Sequence, residues 1–71
     1  MEKEILIEGM HCSHCSESVK NALSKVKGVT EVKVDLDKKI AVVDVEPKID
    51  DTVLSDAVEE IGFDVISITE H

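Results

Sequence analysis

The sequence predicts an α+β fold of order βαββαβ. Two observations carry this. Short β-branched segments with period-two alternation are separated by two segments with apolar residues at helical spacing. A weak internal repeat then sets Gly28-Val29-Thr30-Glu31-Val32-Lys33-Val34 against Gly62-Phe63-Asp64-Val65-Ile66-Ser67-Ile68, so that each half reads as helix, glycine stop, strand. Two such units give a four-stranded antiparallel sheet with both helices on one face, the ferredoxin-like or split βαβ sandwich, as one domain over residues 1–71.

The elements follow in order. Lys3 to Glu8 alternates as a strand with Ile5 and Ile7 inward. Gly9 to Cys12 is a loop. Ser13 is the expected cap of the first helix, and Glu17 adds favourable charge to its first turn. From Cys15 onward Val19, Ala22, Leu23 and Val26 form its apolar stripe, and Gly28 is its stop. Val29 to Asp35 is a second strand, with Val32, Val34 and Leu36 on one face. Asp37-Lys38-Lys39 is a polar turn leading into the strand Ile40 to Glu46, a hairpin with its predecessor. Of the two faces of that strand, Ala41, Val43 and Val45 are taken as inward because the alternative buries Asp44. Pro47 ends it. Asp50 or Asp51 caps the second helix, whose stripe is Val53, Leu54, Ala57, Val58 and Ile61. Gly62 stops it, and Asp64 to Thr69 is the last strand.

Composition narrows the function. A chain of 71 residues holds one small domain with a modest core. Phe63 is the single aromatic residue, so the core is aliphatic and the stacking platforms of many single-strand nucleic-acid binders are missing. Sixteen acids against eight lysines leave a formal charge of -8, which repels phosphate backbones and anionic lipid. No nucleic-acid partner and no direct membrane insertion are expected, since no apolar run approaches the ~18–20 residues of a span. The start, Met-Glu-Lys-Glu-Ile-Leu-Ile, has no secretory hydrophobic region, which reads as cytoplasmic. No nucleophile–base pair or paired-carboxylate set stands out, so the chain is not expected to be an enzyme.

One segment carries chemistry: Gly9-Met10-His11-Cys12-Ser13-His14-Cys15. Cys12 falls in the loop and Cys15 in the first helical turn, a spacing that lets both sulfurs converge. The helix start favours thiolate over thiol. Thiolates select soft ions such as Cu(I) or Zn(II) over Mg or Ca. Two thiolates do not close a tetrahedron, and no second CxxC or distant His pair completes one. An under-coordinated ion near the surface suits transfer, because an incoming thiolate joins before the first leaves. Met10 reads as packing under the loop, since a thioether adapts to irregular gaps. His11 and His14 are each either a further ligand or a solvated side chain. Phe63 either shields the loop or is the hydrophobic contact after a glycine helix stop. Asp50, Asp51, Asp56, Glu59 and Glu60 read as a solvated helix face, and Lys20 as a cation available to an acidic partner.

These residues resemble the heavy-metal-associated domain family. Gly9-Met10-His11-Cys12-Ser13-His14-Cys15 matches its GMxCxxC motif, and the likeness runs from Ile5 to Ile68, including Gly28-Val29 and Gly62-Phe63. Within the family the free-standing bacterial copper chaperones are most similar; they too tend to carry His where His14 stands and an aromatic where Phe63 stands. The resemblance implies metal ligation by Cys12 and Cys15 and no ligand role for Met10. It implies Cu(I) as cargo, with Zn(II) or another soft ion binding in vitro. The partner it implies is the metal-binding domain of a copper-transporting P-type ATPase. The chain would be a monomer without metal, with a metal-bridged dimer left open. His11 is uncommon at its position, where zinc and cadmium exporters often carry an acid. The competing readings are an excised domain of a heavy-metal ATPase, a Zn, Hg or Cd carrier, and a CxxC thiol–disulfide oxidoreductase.

Overall fold

Alternation along the chain becomes the pleat of four strands. Strand β1 (Glu2–Glu8) turns Ile5 and Ile7 to the inner face, where both are fully buried. Helix α1 (Ser13–Ser24), β2 (Val29–Asp35), β3 (Ile40–Val45), α2 (Asp51–Glu60) and β4 (Asp64–Glu70) complete the order βαββαβ. The computed structural model describes residues 1–10 and 13–70; His11, Cys12 and His71 lie outside the described residues. The sheet order is β2-β3-β1-β4, and every neighbouring pair is antiparallel. The fold is the ferredoxin-like sandwich.

The inner face of β3 is the one chosen by keeping Asp44 out. Ala41, Val43 and Val45 are buried while Asp44 is exposed. Val19 and Leu23 of α1 and Leu54 and Val58 of α2 join the same cluster, so both helices cover this one face. Each pair is spaced i, i+4, which places it on one side of its helix. Leu54 and Val58 together contribute about 3–6 kcal/mol, at about 1.5–3 kcal/mol per buried side chain, enough to dock a helix of 10 residues that would not persist alone.

Several expectations are corrected. Ser13 is the first helical residue and not the cap; its carbonyl accepts the Ser16 hydroxyl at 2.8 Å. Glu17 is the fifth residue of α1 and lies beyond the first turn. Helix α1 ends at Ser24, four residues before Gly28. Val26 N–H donates to Leu23 O at 3.1 Å and Val29 N–H to Val26 O at 3.2 Å, so the chain tightens into turns that leave α geometry before the glycine is reached.

Helix α2 ends as its sequence predicts. Gly62 has φ +99, Gly62 N–H donates to Glu59 O at 3.0 Å and Phe63 N–H to Val58 O at 3.4 Å. This pair of bonds is the Schellman arrangement, which satisfies two end carbonyls and needs a left-handed residue. The apolar stripe of α2 is narrower than expected: Val53 and Ile61 are 43% and 39% exposed. Asp50 holds the N-cap position in extended geometry without a side-chain capping bond. Asp51 is not part of a purely solvated face. Its carboxylate pairs with the ammonium of Lys3, whose side chain is only 8% exposed on the inner face of β1.

Candidate metal centre

The end of β1 and the first residues of the following loop, Gly9 and Met10, are held from three sides. Strand β1 ends at Glu8, and Gly9 then takes φ +96, a conformation that L side chains rarely adopt. A Cβ at Gly9 would meet Phe63 Cδ1 at 3.3 Å, so the Phe63 ring lies against bare backbone here. The Schellman turn aims this ring, because it sets the direction in which the chain leaves α2. Phe63 also packs against the core cluster. Phe63 thus touches both the core and Gly9 at the start of the loop.

Met10 follows and is fully buried within the core. Its thioether fills the interior beneath the loop, as its packing reading expects. The third contact is the β2–β3 turn: Lys39 O accepts Ile7 N–H at 2.9 Å, which ties that turn to the end of β1. Lys39 itself has φ 59, a strained value for a lysine.

Beyond the loop, Cys15 is the third residue of α1, half-buried, with its side chain against the core cluster. It occupies the first helical turn, as the spacing predicts. His14 is exposed on the same turn. Cys12 and His11, the other donors singled out in the motif, lie outside the described residues. Lys20 is exposed on α1, and Asp50, Asp56, Glu59 and Glu60 are exposed on α2 or at its start.

Among the described residues no three His, Cys, Asp or Glu side chains gather in a way that could hold a metal ion. The CxxC segment remains the candidate centre. Sequence reasoning did not reveal that Gly9 and Phe63 touch. The available signal was a glycine at the junction of strand and loop, which marks close backbone approach as well as a turn. No helix of the described residues is long and apolar enough to cross a membrane.

Comparison with known proteins agrees with this geometry. The heavy-metal-associated domain pattern matches residues 4–64. The copper chaperone CopZ of Staphylococcus haemolyticus is 42% identical over 66 residues, covering 92% of this chain and 97% of that protein. The solved structure of a CopZ metallochaperone superposes with a TM-score of 0.88 at 33% identity, covering 93% of this chain and 100% of that one. A copper-binding domain from HMA7, a P-type ATPase, gives 0.85 at 30% identity over 96% of this chain and 97% of its own. A pattern match across most of the chain, near full-length relatives and a common fold lead to one conclusion: the chain belongs to the heavy-metal-associated domain family.

Proposed function

We propose that this protein is a cytoplasmic carrier that binds Cu(I) between the thiolates of Cys12 and Cys15. It passes the ion by ligand exchange to the metal-binding domain of a copper-transporting P-type ATPase. The observation that carries this reading is the placement of Cys15. It stands half-buried in the first turn of α1, just after a loop whose first residues, Gly9 and Met10, are held by the Phe63 ring and by the core. A rigid platform under a short thiolate loop holds the donors in place without enclosing the ion. The relatives support copper as the cargo: the CopZ proteins of two Staphylococcus species are named as copper chaperones, and a neighbour of the same fold is a copper-binding domain of a P-type ATPase.

The chemistry follows from two donors that leave coordination positions open. An acceptor domain with its own CxxC docks beside the loop, and its first thiolate makes a three-coordinate intermediate. One sulfur of this protein then departs, and the second exchange completes delivery. No bond other than metal–sulfur changes, so this is a carrier and not an enzyme. Zn(II) and other soft ions share the affinity for thiolate, and Cu(I) is preferred because two sulfurs suffice for it.

The test is transfer from Cu(I)-loaded protein to an isolated ATPase metal-binding domain, followed by separating the two proteins and measuring copper in each. Cys15→Ser is expected to bind weakly and to lose transfer. Undiminished transfer by this variant overturns the exchange mechanism.

A further inference from the structure

Charge is divided unevenly along the chain. Residues 49–71 hold seven of the sixteen acids and none of the eight lysines, so nearly all of the net charge of -8 lies on α2 and β4, which pack together. Asp56, Glu59, Glu60, Asp64 and Glu70 are exposed and make no ion pair among the described residues. Glu8 stands directly opposite Asp64 on β1 and adds a like charge that costs stability.

Strand β4 is also a sheet edge. It pairs with β1 on one side, and among the described residues no strand pairs with the other. The pairing passes from Leu6↔Ser67 to Ile7↔Val65, a bulge at Ile66, and is regular over residues 67–70. The neighbouring ladder shows which backbone groups face outward. Val45 N–H donates to Met1 O at 2.7 Å and Ile7 N–H to Lys39 O at 2.9 Å. Odd-numbered residues of β1 thus turn their backbone groups to β3, and even-numbered ones to β4. Glu4 is opposite Thr69 and Leu6 opposite Ser67, so Ser67 and Thr69 face β1, and Ile68 and Glu70 turn N–H and C=O to the outward side. Lysine and proline commonly guard such an edge. The opposite edge, β2, carries Lys33 in its middle, whereas β4 carries neither residue. Helix α2 adds a wall. Ala57 and Ile61 line the groove against α1. Ser55 and Glu59 come out about 160° further round the helix, on the side turned from α1 and above the outward side of β4.

We propose that the outward side of β4, beneath this flank of α2, receives an extended basic segment of a partner protein as an added strand. Ile68 and Glu70 give the backbone bonds. Lysine or arginine side chains of the segment meet Glu59 and Asp64 at one end and Glu70 at the other. A second copy of this chain is a poor occupant, because antiparallel pairing of β4 with itself over its full length sets Asp64 against Glu70 at both ends. The same charge turns away phosphate-bearing partners. The contact uses neither the cysteines nor a metal, so it stands apart from the copper reading. It is short, which places it in the weak class, with Kd on the order of 1 mM.

The experiment uses the reduced, metal-free protein and three probes. These are a short end-blocked peptide of alternating lysine and valine, its glutamate–valine counterpart, and the lysine peptide N-methylated at every backbone nitrogen, which keeps the charge and removes the donors. Nitrogen–proton correlation spectra and amide hydrogen exchange are recorded with each. The lysine peptide is expected to move the backbone signals of Glu59, Ile68 and Glu70 and to slow exchange at Ile68 and Glu70. The other two peptides are expected to do neither. The variant E59K/E70K, at exposed positions, is expected to keep the fold and to bind the lysine peptide about tenfold more weakly. An equal effect of the methylated peptide reduces the contact to charge alone and overturns the proposal. Shifts confined to α1 and β2, no shifts at all, or β4 signals that move with protein concentration in the absence of peptide overturn it as well.

Discussion

Replacing Gly9 by Ala tests whether the metal loop is braced as described. Two costs add. A Cβ at φ +96 forces an L residue into left-handed territory, about 1–2 kcal/mol. The same Cβ sits 3.3 Å from Phe63 Cδ1 and 3.8 Å from Cε1, closer on one side than ordinary contact, so the ring must yield within a packed region. Overpacking of this kind costs about 1–3 kcal/mol. Against these, Ala loses less backbone freedom on folding than Gly, by about 0.5–1 kcal/mol. The expected net loss is about 1–4 kcal/mol, or at least about 4 °C in Tm for a domain of this size. Urea unfolding of the reduced, metal-free protein measures it. Phe63→Leu removes the ring edge, so the double variant is expected to lose less than the two single losses combined, by about 0.5 kcal/mol or more. A Gly9→Ala protein within about 0.5 kcal/mol of wild type, or strict additivity with Phe63→Leu, refutes the bracing.

Other expectations follow from the same structure. Asp51→Ala strands the ammonium of Lys3 on the inner face and is expected to cost about 1–3 kcal/mol, short of a fully buried pair because Asp51 is 56% exposed; thermal unfolding reads this. Lys3→Met in the same assay is expected to be neutral or stabilising, because it removes the charge that needs the partner. Met10→Leu is expected to leave metal affinity unchanged and to cost less than about 1.5 kcal/mol, whereas Met10→Ala costs about 2–5 kcal/mol; a fall in affinity for the Leu variant would make Met10 a ligand. Lys39→Gly relieves a left-handed lysine worth about 1–2 kcal/mol and costs about 0.5–1 kcal/mol of chain entropy, so it is expected to stabilise by up to about 1.5 kcal/mol, read by thermal unfolding.

The two central strands of the sheet were legible because β1 and β3 each have one dry face. Burying Asp44 was the sole alternative for β3, and a charge without a partner decides such a choice. The Gly62 stop was legible because its glycine sits at the point where the chain turns left-handed. Gly28 misled for a specific reason. Val26 continues the helical spacing of α1, yet its N–H bonds three residues back to Leu23, and the helix has already ended. Val53 and Ile61 misled in the same way, since a stripe of five apolar residues is wider than the contact that Leu54, Ala57 and Val58 fill.

Long-range features were not legible. Lys3 and Asp51 are 48 residues apart, and nothing local marks a lysine on the inner side of a strand as paired. The bulge at Ile66 depends on the register of β1 against β4, which alternation alone does not fix. At the site, the sequence placed Cys15 in the first turn of α1 and Met10 in the core, and both positions are as expected. The contact between Gly9 and Phe63 joins residues 54 apart in number and became visible only through the Schellman turn that brings the ring across.

The most direct test of the central claim is an anaerobic titration of the reduced protein with Cu(I) and, separately, Zn(II), each against a competing chelator. Stoichiometry and oligomeric state are read together for the wild type, Cys12→Ser and Cys15→Ser. The account expects tight Cu(I) binding that outcompetes Zn(II) and is lost in both variants. Preference for Zn(II), or tight Cu(I) binding that survives the loss of either cysteine, contradicts it.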